Sequence, residues 1–198
     1  CLFIEYLEGR TLDEIDFAKE SIKNIMKIIL ETMTILAYLH HHGFIYRDLK
    51  PNNIIVDKSC TIYLIDFDRM IKSSSINSNF NMTCNFFGDF MAPEILNRES
   101  FTNKSDIYSL GKVIEFIFTK INSQELYRIQ QMFSKCISSK EDERPTLFQL
   151  INTFYIEFYS VVLGIDDIKN ELNYESDLFT FYLFMIAEYQ HVNTQTML

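Results

Sequence analysis

No stretch of this sequence is apolar for long enough to cross a bilayer: the best candidate, Phe179 to Ala187, is about half of the roughly 20 residues that a helical span needs. The opening residues are apolar, but they carry neither the basic region nor the small-residue cleavage site of a signal peptide. Positive charge is scarce too, since 18 Lys and Arg face 27 Asp and Glu for a formal charge of −9. Without a basic stripe, binding to nucleic acid or to an anionic membrane is a poor prospect. More than half of that excess sits in residues 165–198, where six acids face the single base Lys169, and this reads as a solvated face. Cysteine is thinly spread: Cys1, Cys60, Cys84 and Cys136 show no paired spacing for a zinc site or a redox dithiol. Free thiols in a reducing compartment are the expectation, hence a cytoplasmic or nuclear location.

Proline is rarer still. The three present, Pro51, Pro93 and Pro145, each fall inside one of the chemically distinctive segments described below, where they would fix backbone geometry.

What remains is an ordinary globular composition, 47% hydrophobic and 23% charged over 198 residues, enough for one good-sized core. Residues 1–7 form a short β-prone run that Glu8 and Gly9 cut off. From Ser21 to His42 apolar residues recur at helical spacing (Ile22, Ile25, Met26, Ile29, Met33, Leu36, Leu39), and Gly43 stands where a helix should stop. Asn53–Val56 and Thr61–Ile65 read as a small hairpin. Residues 72–85, rich in Ser and Asn, read as a long loop. Further helices are expected near 104–119, 124–137 and 146–160, with two more amphipathic helices after Ile165.

The chemistry concentrates in Tyr46-Arg47-Asp48-Leu49-Lys50-Pro51-Asn52-Asn53 and Asp66-Phe67-Asp68. Asp48 follows the buried helix, Lys50 lies two residues on, and Asn53 opens the hairpin. Asp66 closes it, so the two strands can bring Asp66 beside Asn53. A carboxylate and an amide oxygen converging in this way suit Mg²⁺, a hard cation that completes its shell with phosphate oxygens. Asp48 would then orient a hydroxyl, and Lys50 would offset charge on a transferring phosphoryl group.

This ordered set resembles the eukaryotic-type protein kinase family. The first stretch resembles the catalytic loop H-R-D-x-K-x-x-N, with Tyr46 for histidine, and Asp66-Phe67-Asp68 resembles D-F-G. Ala92-Pro93-Glu94 matches A-P-E, and Asp106-Ile-Tyr-Ser-Leu-Gly111 resembles D-x-W-S-x-G with Tyr108 for tryptophan. Arg144-Pro145-Thr146 resembles the R-P-T whose arginine pairs with the A-P-E glutamate, here Glu94. Leu2 to Gly9 resembles the end of strand five and the hinge, with Ile4 as gatekeeper. The implied fold is mainly α: the large, C-terminal lobe of a kinase with a small β-hairpin at the catalytic loop and without the small lobe. The lobe would cover residues 1–160, with the hinge at 1–9, and a helical tail would cover 161–198.

The resemblance implies a serine/threonine kinase that uses ATP and Mg²⁺ on protein substrates. Asp48 would be the catalytic base, Lys50 the phosphate-neutralising cation, and Asn53 and Asp66 the Mg²⁺ ligands. Backbone groups of Glu5 and Leu7 would meet the adenine, with Ile55 as its floor. A phosphate on Ser73, Ser74, Ser75, Ser78 or Thr83 would dock on Arg47. The glycine-rich loop, the strand-three lysine and its glutamate partner are expected before Cys1, so the chain is expected to be inactive alone and to be part of a longer one.

Several positions depart from the family pattern. Asp68 takes the place of a glycine whose dihedrals other residues adopt only at a cost. Phe87 stands where a threonine is usual, and the short 120–127 connection leaves no room for a docking helix. A pseudokinase or scaffold that binds partners without catalysis is therefore the rival reading. His40-His41-His42 reads as the polar end of a helix rather than a metal site. Residues 181–195 resemble part of a Sel-one-like helical repeat, which would bind protein partners; an ordinary terminal helix is the alternative.

Overall fold

The computed structural model describes residues 6–75, 88–97, 101–121 and 126–163. Ile4, Glu5, Ser78, Thr83, Phe87 and the tail from residue 164, with its expected helices and repeat, lie outside the described residues.

Three long helices carry the core. Helix α1 spans Ile22–His41, α3 spans Asn103–Thr119 and α5 spans Leu147–Leu163; the short α2 (Pro93–Leu96) and α4 (Tyr127–Phe133) lie between them. α1 starts where Ser21 accepts a hydrogen bond from the Asn24 amide at 3.2 Å, and it ends at Gly43, whose φ of +73° suits a residue without Cβ. Within α1, Ile25, Met26, Ile29, Met33 and Leu36 are all buried, as the helical spacing requires. Its two buried threonines satisfy their hydroxyls inside the helix, Thr32 donating to the Ile28 carbonyl at 2.7 Å and Thr34 to that of Leu30 at 2.9 Å.

One cluster of buried side chains runs from Leu12 through α1 and α3 to Leu150, Ile151 and Phe154 of α5. α3 approaches the turn at Ser134–Ile137 closely enough that a Cβ on Gly111 would sit 2.6 Å from that of Cys136, so only glycine fits. Burial in that contact pushes the Cys136 thiol up to about 12.

The β structure is small. Strands β3 (Ile54–Val56) and β4 (Ile62–Leu64) form the expected hairpin, with Ile54 opposite Leu64. Of the run at 1–7, residues 1–5 lie outside the described residues and Tyr6 and Leu7 are not in a strand; a short strand follows at β1, Arg10–Thr11, which pairs with Ile55 and Val56 on the open edge of β3. A second pair was not visible in the periodicity: β2 (Phe44–Ile45) meets β5 (Ile71–Lys72), so the start of the 72–85 loop is tied to the segment ahead of Tyr46. The helix expected over 124–137 is shorter, because the chain tightens into a 3₁₀ turn at Ser134–Ile137. No helix among the described residues is long and apolar enough to cross a membrane. The architecture is mainly α, as the sequence predicts, with a thin β layer where the distinctive residues lie.

Candidate active site

The loop after β2 is built around Asp106, a fully buried carboxylate in the first turn of α3. Its Oδ2 accepts from the Tyr46 amide at 2.9 Å and lies 2.8 Å from His40 Nε2, and its Oδ1 accepts from the Arg47 amide at 2.8 Å. These bonds hold Arg47 at φ 72°, a left-handed conformation costing about 1–2 kcal/mol for a residue with a Cβ. The guanidinium of Arg47 lies 4.0 Å from the centre of the Phe101 ring.

Tyr46 locks the loop from the other side. Its hydroxyl donates to the Ile65 carbonyl, and its buried ring meets Phe67 edge-on, with centroids 5.6 Å apart. Burial, reinforced by the carboxylates of Asp48, Asp66 and Asp106, raises the phenol well above its ordinary range, so it stays a neutral donor.

Asp48, which is also buried, is the focus of the loop. Lys50 Nζ and Asn53 Nδ2 each lie 2.8 Å from its Oδ2, and Arg69 Nη1 lies 3.5 Å from its Oδ1. Asn53 Nδ2 also donates to the Asp48 carbonyl at 2.8 Å.

The hairpin delivers the second carboxylate. The Ile65 amide donates to the Asn53 carbonyl at 3.1 Å, which sets Asp66 at the same end of the hairpin as Asn53. Asp66 is exposed and has φ 62°. Side chains alternate along β3: Ile54 and Val56 enter the core, while Ile55 is half-buried on the opposite face. Leu7 is half-buried as well.

A further cluster braces the base of α3. Arg144 is almost wholly buried; its Nη1 and Nη2 meet the two carboxylate oxygens of Glu94 at 2.6 and 2.7 Å, and its Nε donates to the Ser138 carbonyl at 2.9 Å. The Ser105 hydroxyl adds a bond to Glu94 at 2.9 Å. Burial works to raise the Glu94 carboxyl, but the Arg144 and Ser105 bonds outweigh it and hold it below its ordinary value. The sequence pairs these two residues, and the structure joins them.

Comparison with known families adds the deciding observation. The model of the protein kinase domain matches residues 1–125, more than half of the chain. The chain belongs to the protein kinase domain family. Similar proteins include the protein kinase and PP2C-like domain-containing protein of Arabidopsis thaliana, 32% identical over 60% of this chain and 21% of its own length. Mitogen-activated protein kinase kinase kinase 9 from the same plant is 32% identical over 59% of this chain and 18% of its own. A serine/threonine-protein kinase of Saccharomyces cerevisiae is 32% identical over 77% of this chain and 11% of its own. The kinase chain thus spans about a fifth or less of these relatives.

Of the residues singled out from the sequence, Asp48, Lys50 and Asn53 come into direct contact, and Asp66 joins them through the hairpin. Glu5 lies outside the described residues. The strain expected at Asp68 falls elsewhere: Asp68 is exposed and is not among the residues of positive φ, whereas Asp66 and Arg47 are. Three contributors carry no clear signal in the sequence: His40 and Asp106, which meet each other across the fold, and Arg69, which approaches Asp48.

Proposed function

We propose that residues 1–198 supply the catalytic half of a protein serine/threonine kinase that moves the terminal phosphoryl group of ATP to a protein hydroxyl. The observation that carries this is the buried Asp48 carboxylate, flanked by Lys50 and Asn53 and held in place through Asp106. In this reading Asp48 is the catalytic base: it accepts the proton of the acceptor hydroxyl and aligns its oxygen for attack. Lys50, 2.8 Å from Asp48, offsets negative charge on the group in transfer.

The donor set suits Mg²⁺. Among the described residues no group of three His, Cys, Asp or Glu could hold a metal ion by itself. Asp66 and the amide oxygen of Asn53 would offer two hard ligands, the number with which Mg²⁺ is held when substrate phosphates complete its shell. When bound, the ion would neutralise phosphate charge. Ile55 would form the floor of the adenine site, with backbone groups of Glu5 and Leu7 at its edge.

We assign the kinase lobe to residues 1–160 and a helical tail to 161–198; the continuous core from Leu12 to Phe154 supports one lobe over that span. The location in this reading is cytoplasmic. Alone, these residues would transfer little phosphate, because no glycine-rich loop stands in the sequence to clamp the β- and γ-phosphates.

The test is Mg²⁺-dependent nucleotide binding and phosphotransfer by the lobe joined to a glycine-rich small lobe, with and without Asp48→Asn. Loss of turnover with binding retained is expected. Unchanged turnover would refute the role of Asp48. One observation favours a non-catalytic scaffold: both oxygens of Asp48 already face cations, Lys50 and Arg69. Binding with no turnover in the unsubstituted protein would select that reading.

A further inference from the structure

α3 ends at Thr119 and α4 begins at Tyr127, so only the short 120–126 connection separates them, and an open groove lies between the two helices. Its cavity measures about 290 Å³. Ile114, Glu115 and Phe118 line it from α3, Tyr127 and Phe133 from α4, and Ser134 from the turn that follows. The walls are mostly apolar. Tyr127 at the edge is 61% exposed, second only to Tyr6 among the exposed large hydrophobic side chains of the described residues. An aromatic ring standing in water beside an apolar groove is a contact left unmade.

The charge around the groove is one-sided. Glu115, the charged residue in the lining, is already paired with Lys112. From Tyr127 to Ile137 the chain carries Arg128 and Lys135, both exposed, and no acid. Each follows a lining residue by one position, and the two stand about two helical turns apart, so they share one flank of the groove. Lys135 also acts on Glu143, but that carboxylate is held by Ser138 and Lys140.

The sequence beyond α5 has the matching pattern. Residues 178–187 are apolar except for Thr180, with Glu175 and Asp177 ahead of them and Glu188 behind, and no Lys or Arg follows Lys169. Reach is ample. Phe154 of α5 meets Phe133 in the groove wall, with ring centroids 6.0 Å apart, and α5 ends at Leu163, about 14 Å further along the helix. The stretch from Leu163 to Leu178 can extend over about 50 Å.

We propose that the groove between α3 and α4 is the docking site of residues 175–188 of the same chain. The aromatic run fills the cavity and covers Tyr127, while Glu175, Asp177 and Glu188 meet Arg128 and Lys135 at the rim. Burial of the apolar run drives the contact, and the charges set its place and register. A basic segment is repelled from the same rim. Neither nucleotide nor phosphotransfer is required. The first partner of the tail is thus its own lobe.

The experiment uses the full 198-residue chain with a photo-crosslinking benzophenone amino acid in place of Tyr127, and mass spectrometry locates the cross-link. A product of monomer mass joined to residues 175–188 is expected. Arg128→Glu combined with Lys135→Glu should cut its yield about fivefold, since several exposed pairs of modest strength are lost together. Adding Glu175→Lys, Asp177→Lys and Glu188→Lys to that protein should restore most of the yield. A melting curve establishes that each variant is folded. If position 127 does not tolerate the cross-linker, the exposed Gln131, which also lines the groove, carries it.

Cross-links that miss residues 175–188, or none at all, overturn the proposal. So does a product of dimer mass, which would give the groove to a second copy. An unchanged yield after charge reversal overturns it too, as does a loss that the exchanged charges do not repair.

Discussion

Asp106 and Glu94 are two buried acids near the start of α3, and they are held in opposite ways. Glu94 is fixed by a guanidinium, fork to fork, in a pair that closes the base of the lobe. Asp106 meets two backbone amides and an imidazole, with no arginine or lysine against it among the described residues. The first arrangement fastens one part of the fold to another. The second sets the dihedrals of a loop. Similar carboxylates thus do different work according to whether their partners are side chains, which add attachment, or main-chain donors, which add shape.

Substitutions can break that comparison at either end. Arg144→Ala should be the most damaging, since it strands Glu94 in a site it cannot leave; about 3–5 kcal/mol of unfolding free energy should be lost in urea titrations. Asp106→Asn should cost less, about 2–3 kcal/mol, because the amide can accept from only one of the two backbone N–H groups and turns a donor toward the other. If the contrast is real, Asp106→Asn should abolish Asp48-dependent turnover in the lobe-complete protein even under conditions where it remains folded. Tyr46→Phe leaves the Ile65 carbonyl without the phenol and should cost about 1–2 kcal/mol by the same measurement.

Acid titration sharpens the comparison with a smaller effect. The Glu94 carboxyl is held below its ordinary value of 4.5, so its contribution is present above that value and is lost as pH falls through its lower, folded value. Glu31 runs the other way. Burial raises its carboxyl above 4.5 despite the bonds from the Ile62 amide and Lys27, so its contribution is present below 4.5 and is lost as pH rises. At pH 7, Glu31→Gln should therefore raise the melting temperature slightly, and this gain should vanish near pH 4.

The long helices were legible in the sequence because burial on one face writes a period into it, as Ile25, Ile29 and Leu36 do. The hairpin was legible from β-branched runs, and Asp48, Lys50, Asn53 and Asp66 from their order and spacing. The two-residue strands β1, β2 and β5 were not, since two residues are too few to carry a period. The contact of His40 with Asp106 is not legible for a different cause: it exists only when two residues 66 positions apart meet. Arg69 had a local signal, a cation set against an acidic triplet, and its aim at Asp48 emerges only from the turn that follows.

The Asp106 contacts also bear on how the molecule is made. The Tyr46 amide waits for a carboxylate 60 residues further along, and Glu94 for a guanidinium 50 further. At about 5–20 residues per second of synthesis, roughly 3–12 s pass between the appearance of Tyr46 and that of Asp106. During that interval α1 is complete and the left-handed turn at Arg47 has nothing to hold it. The nascent chain therefore carries Asp48 well before it carries the residue that gives Asp48 its place.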